Sequence, residues 1–430
     1  MRRLLSLVAY VTLTLSATIA WAEALPSAPP EHVGLSAERL ARIGAVLTAE
    51  IEGGKFPGAV ALVARKGRVA YFERFGLRDK ATGAPMPTDA IFRIYSMTKP
   101  LVSVAAMILM EEGKLVLTDP VSRFLPPFAK LQVSVPKVDS TFGRVTYALV
   151  PTEREMTIQD LLRHTAGLAY GELTVNTPVK EAYAKAGVYQ PQGLLFDARG
   201  HPPAAQVETL AQAPLAHQPG AVWEYSLATD LLGRLLEAAS GMTLSQFLEK
   251  HLFGPLQMVD TGFFIPQEKI GRLAQTMPDT PTKVIDVSAP PANDSGGAGA
   301  VSTTMDYARF CQMLLNGGQL DGVRVLSRPT VTLMTADHLA GIHTPVTPGM
   351  GLLGTPGYTF GLGFAVRQGA GLAGVPGSAG EFTWGGFAGT YFWVDPKEEL
   401  VGVLMTQAPS PERAYYRRLF RQLVYQAISD

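Results

Sequence analysis

Apolar and polar positions change period repeatedly along the chain, and the changes mark out an α/β architecture. Ser36 precedes a stretch of helical spacing that runs to about Glu52 and stops at Gly53-Gly54, which predicts a capped helix. Ala59 to Ala64 and Val69 to Phe75 are β-prone apolar runs joined at Lys66-Gly67, the pattern of a hairpin. The period then turns helical near 97–112, 157–164, 227–239 and 244–252. The last segment opens on Thr243 with Gln246 three residues on, a capping box. Residues 195–206 and 276–298 are rich in proline, glycine and polar side chains and read as loops. Strands return at Thr390 to Val394 and Leu400 to Met405, either side of the turn pair Asp395-Pro396, and a helix from about Pro411 to Ile428 closes the chain. Strands at both ends with helices between predict one antiparallel sheet flanked by helices, built from residues 23–95 and about 285–430. An all-helical lobe, residues 96–284, is inserted into it.

Charge removes whole classes of partner. The 430 residues carry 37 Lys+Arg against 37 Asp+Glu, a formal net charge of zero, so neither a nucleic-acid footprint nor a polybasic membrane-surface patch is in prospect. Arg2 and Arg3, the apolar run Leu4 to Ile19 and then Ala20-Trp21-Ala22 have the form of a signal peptide over residues 1–22, cut after Ala22. The expected product is periplasmic or secreted, without stable membrane insertion after cleavage. The single cysteine, Cys311, excludes an intrachain disulfide. It repeats at helical spacing with Tyr307, Phe310, Leu314 and Leu315, which makes it a core filler rather than a nucleophile.

Metal chemistry has little support. Among the seven histidines no two stand three or four apart, and H-E-x-x-H is absent, as are the glycine-rich phosphate motifs before a helix. No metal or organic cofactor is implied. A two-carboxylate site would leave no short spacing, and nothing singles one out. Serine chemistry has several candidates. Asn293-Asp294-Ser295-Gly296-Gly297 is similar to the serine segment of chymotrypsin-like proteases, but it has Asn for the leading Gly and sits in a chain without disulfides; it reads as a glycine loop. Ser378 misses the nucleophile elbow because Pro376 occupies its first position. Two S-x-x-K motifs remain, where composition alone predicts fewer than one. Ser134 to Lys137 lies in a stretch without helical period, with Pro136 just before the lysine, and reads as a loop coincidence. Ser96-Met97-Thr98-Lys99 leads straight into the apolar helical run Leu101 to Met110. Pro100 is tolerated only in a helix's first turn, so the helix must start close to Ser96. A serine there meets the positive helix end, and a lysine three residues on projects from the same face. Burial beside an apolar wall would favour the uncharged, basic form of such an amine.

Three segments, in order and spacing, carry a resemblance. Phe92 to Pro100 resembles the active-serine segment of the class C β-lactamase-like superfamily. Thr157 to Leu168 resembles its helix-and-turn signature, and Pro219-Gly220 followed by Trp223-Glu224-Tyr225-Ser226-Leu227 resembles the segment of its catalytic tyrosine. The likeness spans about residues 31–425, and the domain it implies runs from 23 to 425. Two departures narrow it. The relatives' Tyr-x-Asn has Leu227 at its third position. Their Lys-Thr-Gly or His-x-Gly, which would bind a substrate carboxylate, is replaced by Trp384-Gly385-Gly386. Tyr-Ser-Leu with Trp-Gly-Gly is similar to the family VIII carboxylesterases.

The resemblance implies the β-lactamase/penicillin-binding-protein fold and a serine carboxylesterase acting on short-chain, small-molecule esters. Ser96 would form the acyl-enzyme. Lys99 and Tyr225 would move the proton, with the formal base undecided between them. The backbone N–H groups of Ser96 and Phe387 would hold the oxyanion, Trp384 would wall the ester, and Gly385 and Gly386 would let the strand approach it closely. His164, beside the helix stop Thr165-Ala166-Gly167, is expected to be structural, bonding the last helix carbonyls. A D-amino-acid peptidase or weak β-lactamase stays open, with Arg367 as a conceivable carboxylate anchor. Acyl transfer to an acceptor other than water and a non-catalytic peptidoglycan-binding relative also stay open.

Overall fold

A computed structural model describes residues 24–189, 198–343 and 356–430; the expected signal segment and its cleavage point lie outside the described residues. Eight strands form the main sheet, each antiparallel to its neighbours. Their order is Tyr358–Phe360, Ala365–Arg367, Phe382–Gly385, Tyr391–Asp395, Leu400–Thr406, Gly58–Arg65, Arg68–Asp79 and Ala84–Pro85. The two ends of the chain meet at its centre, where Ala59 pairs with Thr406 and Arg65 with Leu400. Lys66 and Gly67 both adopt positive φ (52° and 73°), the backbone a two-residue hairpin turn needs to match strand twist.

The run Gly58–Arg65 is buried along its whole length because both faces of the sheet are covered. Val60, Leu62 and Ala64 pack with Leu101, Val104 and Phe310 on one face. Ala59, Ala61 and Val63 pack on the other with Leu40, Ile43, Leu47, Phe420 and Val424, from the helices Ala37–Glu52 and Arg413–Tyr425. Ser36 caps the first of these through its side chain, which accepts from the Arg39 N–H at 3.3 Å. Thr243 and Gln246 form both bonds of the expected capping box. Cys311 is buried in the helix Thr304–Leu315, and burial holds its thiol well above the usual range, an inert core group.

Three expectations need correction. Residues 203–206 are not loop but the start of the helix Pro203–Gln212: a proline at the first helical position begins a helix as readily as it marks a turn. The inserted lobe is not all-helical, since it carries the hairpin Gln132–Asp139 with Arg144–Pro151. Ser134 therefore lies on a strand rather than in a loop. Side chains alternate between faces there, so a lysine three residues on points away from the serine. Ser134 is buried and Lys137 exposed.

Candidate active site

The nucleophile segment is set by a short strand, a strained residue and a buried helix. Phe92–Arg93 pairs with Val301–Ser302, a 3-10 turn follows at Tyr95–Met97, and the helix Thr98–Glu111 takes over with Pro100 in its first turn. Tyr95 holds φ at 44°, a left-handed conformation that costs a non-glycine residue about 1–3 kcal/mol. Its hydroxyl accepts from the Ile285 N–H at 3.1 Å, and its ring meets Phe387 edge-on at 5.6 Å. Leu101, Val102 and Val104 are wholly buried just beyond it. Each is worth roughly 1.5–3 kcal/mol, so packing outweighs the strain.

Three side chains meet at Ser96. The Tyr225 hydroxyl lies 2.7 Å from Ser96 Oγ, and Lys99 Nζ lies 3.3 Å from it. Ser96 is half-buried and reachable; Lys99 and Tyr225 are buried. Lys99 Nζ also donates to the Tyr170 hydroxyl at 3.0 Å and to the Gly297 carbonyl at 2.8 Å, and stands 4.7 Å from the centre of the Tyr225 ring. Three acceptors match the three N–H bonds of an ammonium. Gly297 is held in turn by Asp230, whose carboxylate accepts from the Gly297 N–H (3.1 Å) and from Ser295 Oγ (2.6 Å). Burial raises the Asp230 carboxyl, against the pull of Lys99. Burial also raises the Tyr170 hydroxyl well above its usual range, with Tyr225 and Asp230 adding to it, so this tyrosine keeps its proton.

Tyr225 stands just before the helix Ala228–Ser240, walled by His164 (ring centres 4.9 Å), Tyr170 (5.3 Å) and Trp384 (5.3 Å). His164 holds this segment twice: its carbonyl accepts from the Glu224 N–H at 3.0 Å, and its Nδ1 meets Ser226 Oγ at 3.2 Å. The imidazole thus braces the tyrosine segment, whereas the sequence suggested that it bonds the last helix carbonyls. His164 holds a positive φ of 57° just past the helix Ile158–Leu162. Burial, and then the Lys99 charge, holds it well below its usual value, so it is neutral at pH 7.

The Trp384–Phe387 run lies against the nucleophile. A Cβ on Gly386 would fall well inside 3.0 Å of the Ile94 carbonyl oxygen and Thr390 Oγ1, which real side chains essentially never do. Glycine is therefore what lets this strand end touch the residues leading into Ser96. The N–H groups of Ser96 and Phe387 have no acceptor among the described residues. The other candidates are placed elsewhere. Ser295 serves Asp230. The Ser378 backbone N–H donates to Asp395 Oδ2, and Ser134 Oγ is buried with no partner among the described residues. Arg367 is buried against Glu381 and donates to the carbonyls of Gly369, Ala370 and Val375, which commits four of its five N–H donors there.

Sequence reasoning missed Tyr170, Gly297 and Asp230. Tyr170 lies just past the Thr157 to Leu168 segment and Asp230 five residues after Tyr225, but no spacing rule ties either to Lys99. Gly297 contributes only a carbonyl, which no residue type betrays.

A serine met by a lysine and a tyrosine, at the mouth of a buried helix beside an antiparallel sheet, defines a serine hydrolase of the β-lactamase fold. The chain belongs to the Beta-lactamase family, whose family model matches residues 43–426. It is 36% identical over 369 residues to Protein Rv1367c of Mycobacterium tuberculosis strain H37Rv, covering 83% of this chain and 87% of the relative. It is 31% identical over 407 residues to Esterase EstB of Burkholderia gladioli, covering 88% and 93%. Among solved structures it is similar to EstCE1, described as a hydrolase with promiscuous acyltransferase activity. The TM-score is 0.72 and the identity 29%, covering 90% of this chain and 99% of that one. The chain is an enzyme of this ester-hydrolysing kind.

Proposed function

We propose that the protein hydrolyses short-chain carboxylic esters through an acyl-enzyme on Ser96. The observation that carries this is the meeting of Tyr225 and Lys99 at Ser96 Oγ, 2.7 and 3.3 Å away, beside two N–H groups with no acceptor among the described residues. The active base is the Lys99–Tyr225 pair with one proton removed. Tyr225 stands nearest Ser96 Oγ, at 2.7 Å, with Lys99 Nζ at 3.3 Å, a coupled system rather than one base. Ser96 Oγ gives its proton to the Tyr225 oxygen and bonds to the ester carbonyl carbon. The carbonyl oxygen becomes an oxyanion held by the N–H groups of Ser96 and Phe387. Collapse expels the alkoxide, which takes the proton from Tyr225. Water then repeats the sequence, with Tyr225 taking its proton, and releases the acid and free Ser96.

The surroundings favour an uncharged ester over a carboxylate-bearing β-lactam or peptide. Trp384 brings an apolar ring to the position of the cationic motif, Leu227 is buried where relatives place an amide, and Arg367 is committed to Glu381. Three reactive groups in contact argue against a purely binding role. Acyl transfer to an alcohol would use the same intermediate, as the description of EstCE1 illustrates. Turnover of a p-nitrophenyl ester series beside nitrocefin tests the reading. Short acyl esters should win by orders of magnitude in kcat/KM, and parity with nitrocefin would transfer the assignment to the lactamases. We also infer export: Arg2, Arg3, the run Leu4 to Ile19 and Ala20-Trp21-Ala22 support cleavage after Ala22, and mass spectrometry of the exported form should find Glu23 first.

A further inference from the structure

The closing helix Arg413–Tyr425 presents arginines at 413, 417 and 421, one turn apart, toward the interior strand Phe382–Gly385 and the run that follows it to Phe387. They meet different partners. Arg421 pairs with the buried Glu381 carboxylate, and Arg413 lies over the Phe387 ring at 5.1 Å. Arg417 donates through Nη2 to the Gly386 carbonyl and, at 3.0 Å, to the Thr390 carbonyl, and stands 5.7 Å from the Tyr391 ring centre. Among the described residues it has no carboxylate partner, and its Nε is sealed from solvent without an acceptor. Gly385 makes room for it: a Cβ there would lie 2.6 Å from Arg417 Cζ. The two adjacent glycines thus do different jobs, Gly386 facing the nucleophile segment and Gly385 facing the cation behind.

The Gly386 carbonyl and the Phe387 N–H belong to one peptide unit. A charged donor on the oxygen draws electrons through the C–N bond and strengthens the N–H as a donor on the other side. We propose that Arg417 is a positioning residue for the oxyanion site: it polarises the Gly386–Phe387 peptide from behind and sets an uncompensated positive charge beside the Phe387 N–H. The inference rests on the esterase reading above. It adds a group that would act only when negative charge develops on the substrate oxygen, and so should be felt in the transition state and not in substrate binding. Burial, then Arg413, brings the Arg417 guanidinium down to about 10, which leaves it charged at neutral pH.

The test compares the full chain with Arg417→Met, Arg417→Gln and Arg417→Lys on p-nitrophenyl butyrate, and measures inhibition by an alkyl trifluoromethyl ketone, whose serine adduct carries the oxyanion. Loss of a whole oxyanion donor costs about 10²–10³ in kcat. Loss of its polarising partner should therefore cost on the order of 10- to 100-fold in kcat/KM, with KM within about twofold and the ketone's Ki rising in step. Arg417→Lys should recover part of both. Unchanged kcat/KM, or a loss carried in KM with Ki unmoved, would overturn the proposal and mark Arg417 as structural. If Arg417→Met does not fold, the Gln and Lys variants carry the same comparison. A wild-type protein inert toward both ester and ketone would sink the esterase reading itself, a result distinct from active wild type with unaffected variants.

Discussion

Gly386→Ala changes one methyl group and tests whether the close approach of the Trp384–Phe387 run to the nucleophile segment matters for rate. The new Cβ would fall well inside 3.0 Å of the Ile94 carbonyl oxygen and Thr390 Oγ1. The first is backbone and the second is buried, itself donating to the Ile94 carbonyl at 3.3 Å, so neither can swing aside. The strand end must retreat by on the order of 1 Å to restore normal contact, and a displacement of that size at a reacting group costs about 10² in rate. The Phe387 N–H moves with it, so the loss should fall on kcat. Initial rates on p-nitrophenyl butyrate give the number, and thermal unfolding followed by circular dichroism confirms that the variant is folded. Gly271→Ala is the control, since Gly271 is exposed and a Cβ there meets nothing within 4 Å. A folded Gly386→Ala enzyme with the wild-type kcat would refute the reasoning, because it would place the Phe387 N–H outside the reaction.

Lys99→Ala and Tyr225→Phe should each lower kcat by about 10²–10⁴, as loss of a positioned proton-transfer group does. The double variant should lose far less than the product of the two, since both serve one proton path; multiplicative losses in steady-state assays would show two independent roles. His164 bears on stability. Its folded-state value is depressed, so below about pH 6.5 the unfolded chain takes up a proton that the folded chain refuses, and stability falls with pH. In urea titrations between about pH 7.5 and 5 the wild type should therefore lose more stability than His164→Gln does. Equal losses would mean that His164 is not buried neutral.

What the sequence carried plainly were features with a local cause. The run Ala59 to Ala64, the Lys66-Gly67 turn, the Ser36 and Thr243 caps and the proline-fixed start of the nucleophile helix each follow from residues within a few positions of one another. The meeting of Ser96, Lys99 and Tyr225 was legible only because three segments kept their order and spacing. The rest depends on partners far apart in sequence. Arg417 and Gly386 are separated by 31 residues, Lys99 and Gly297 by 198. Carbonyl acceptors add nothing to a residue pattern. Pro203 misled because proline both starts helices and marks loops. Ser134 misled because Pro136 interrupts a strand whose far end is exposed and so carries no clear apolar alternation.

The most direct test of the central claim is covalent. The full protein treated with a fluorophosphonate and digested should carry the label on the peptide containing Ser96. Ser96→Ala should neither label nor hydrolyse esters, while Ser134→Ala should do both normally. Label on Ser295 or Ser378, with Ser96→Ala still active, would contradict the account.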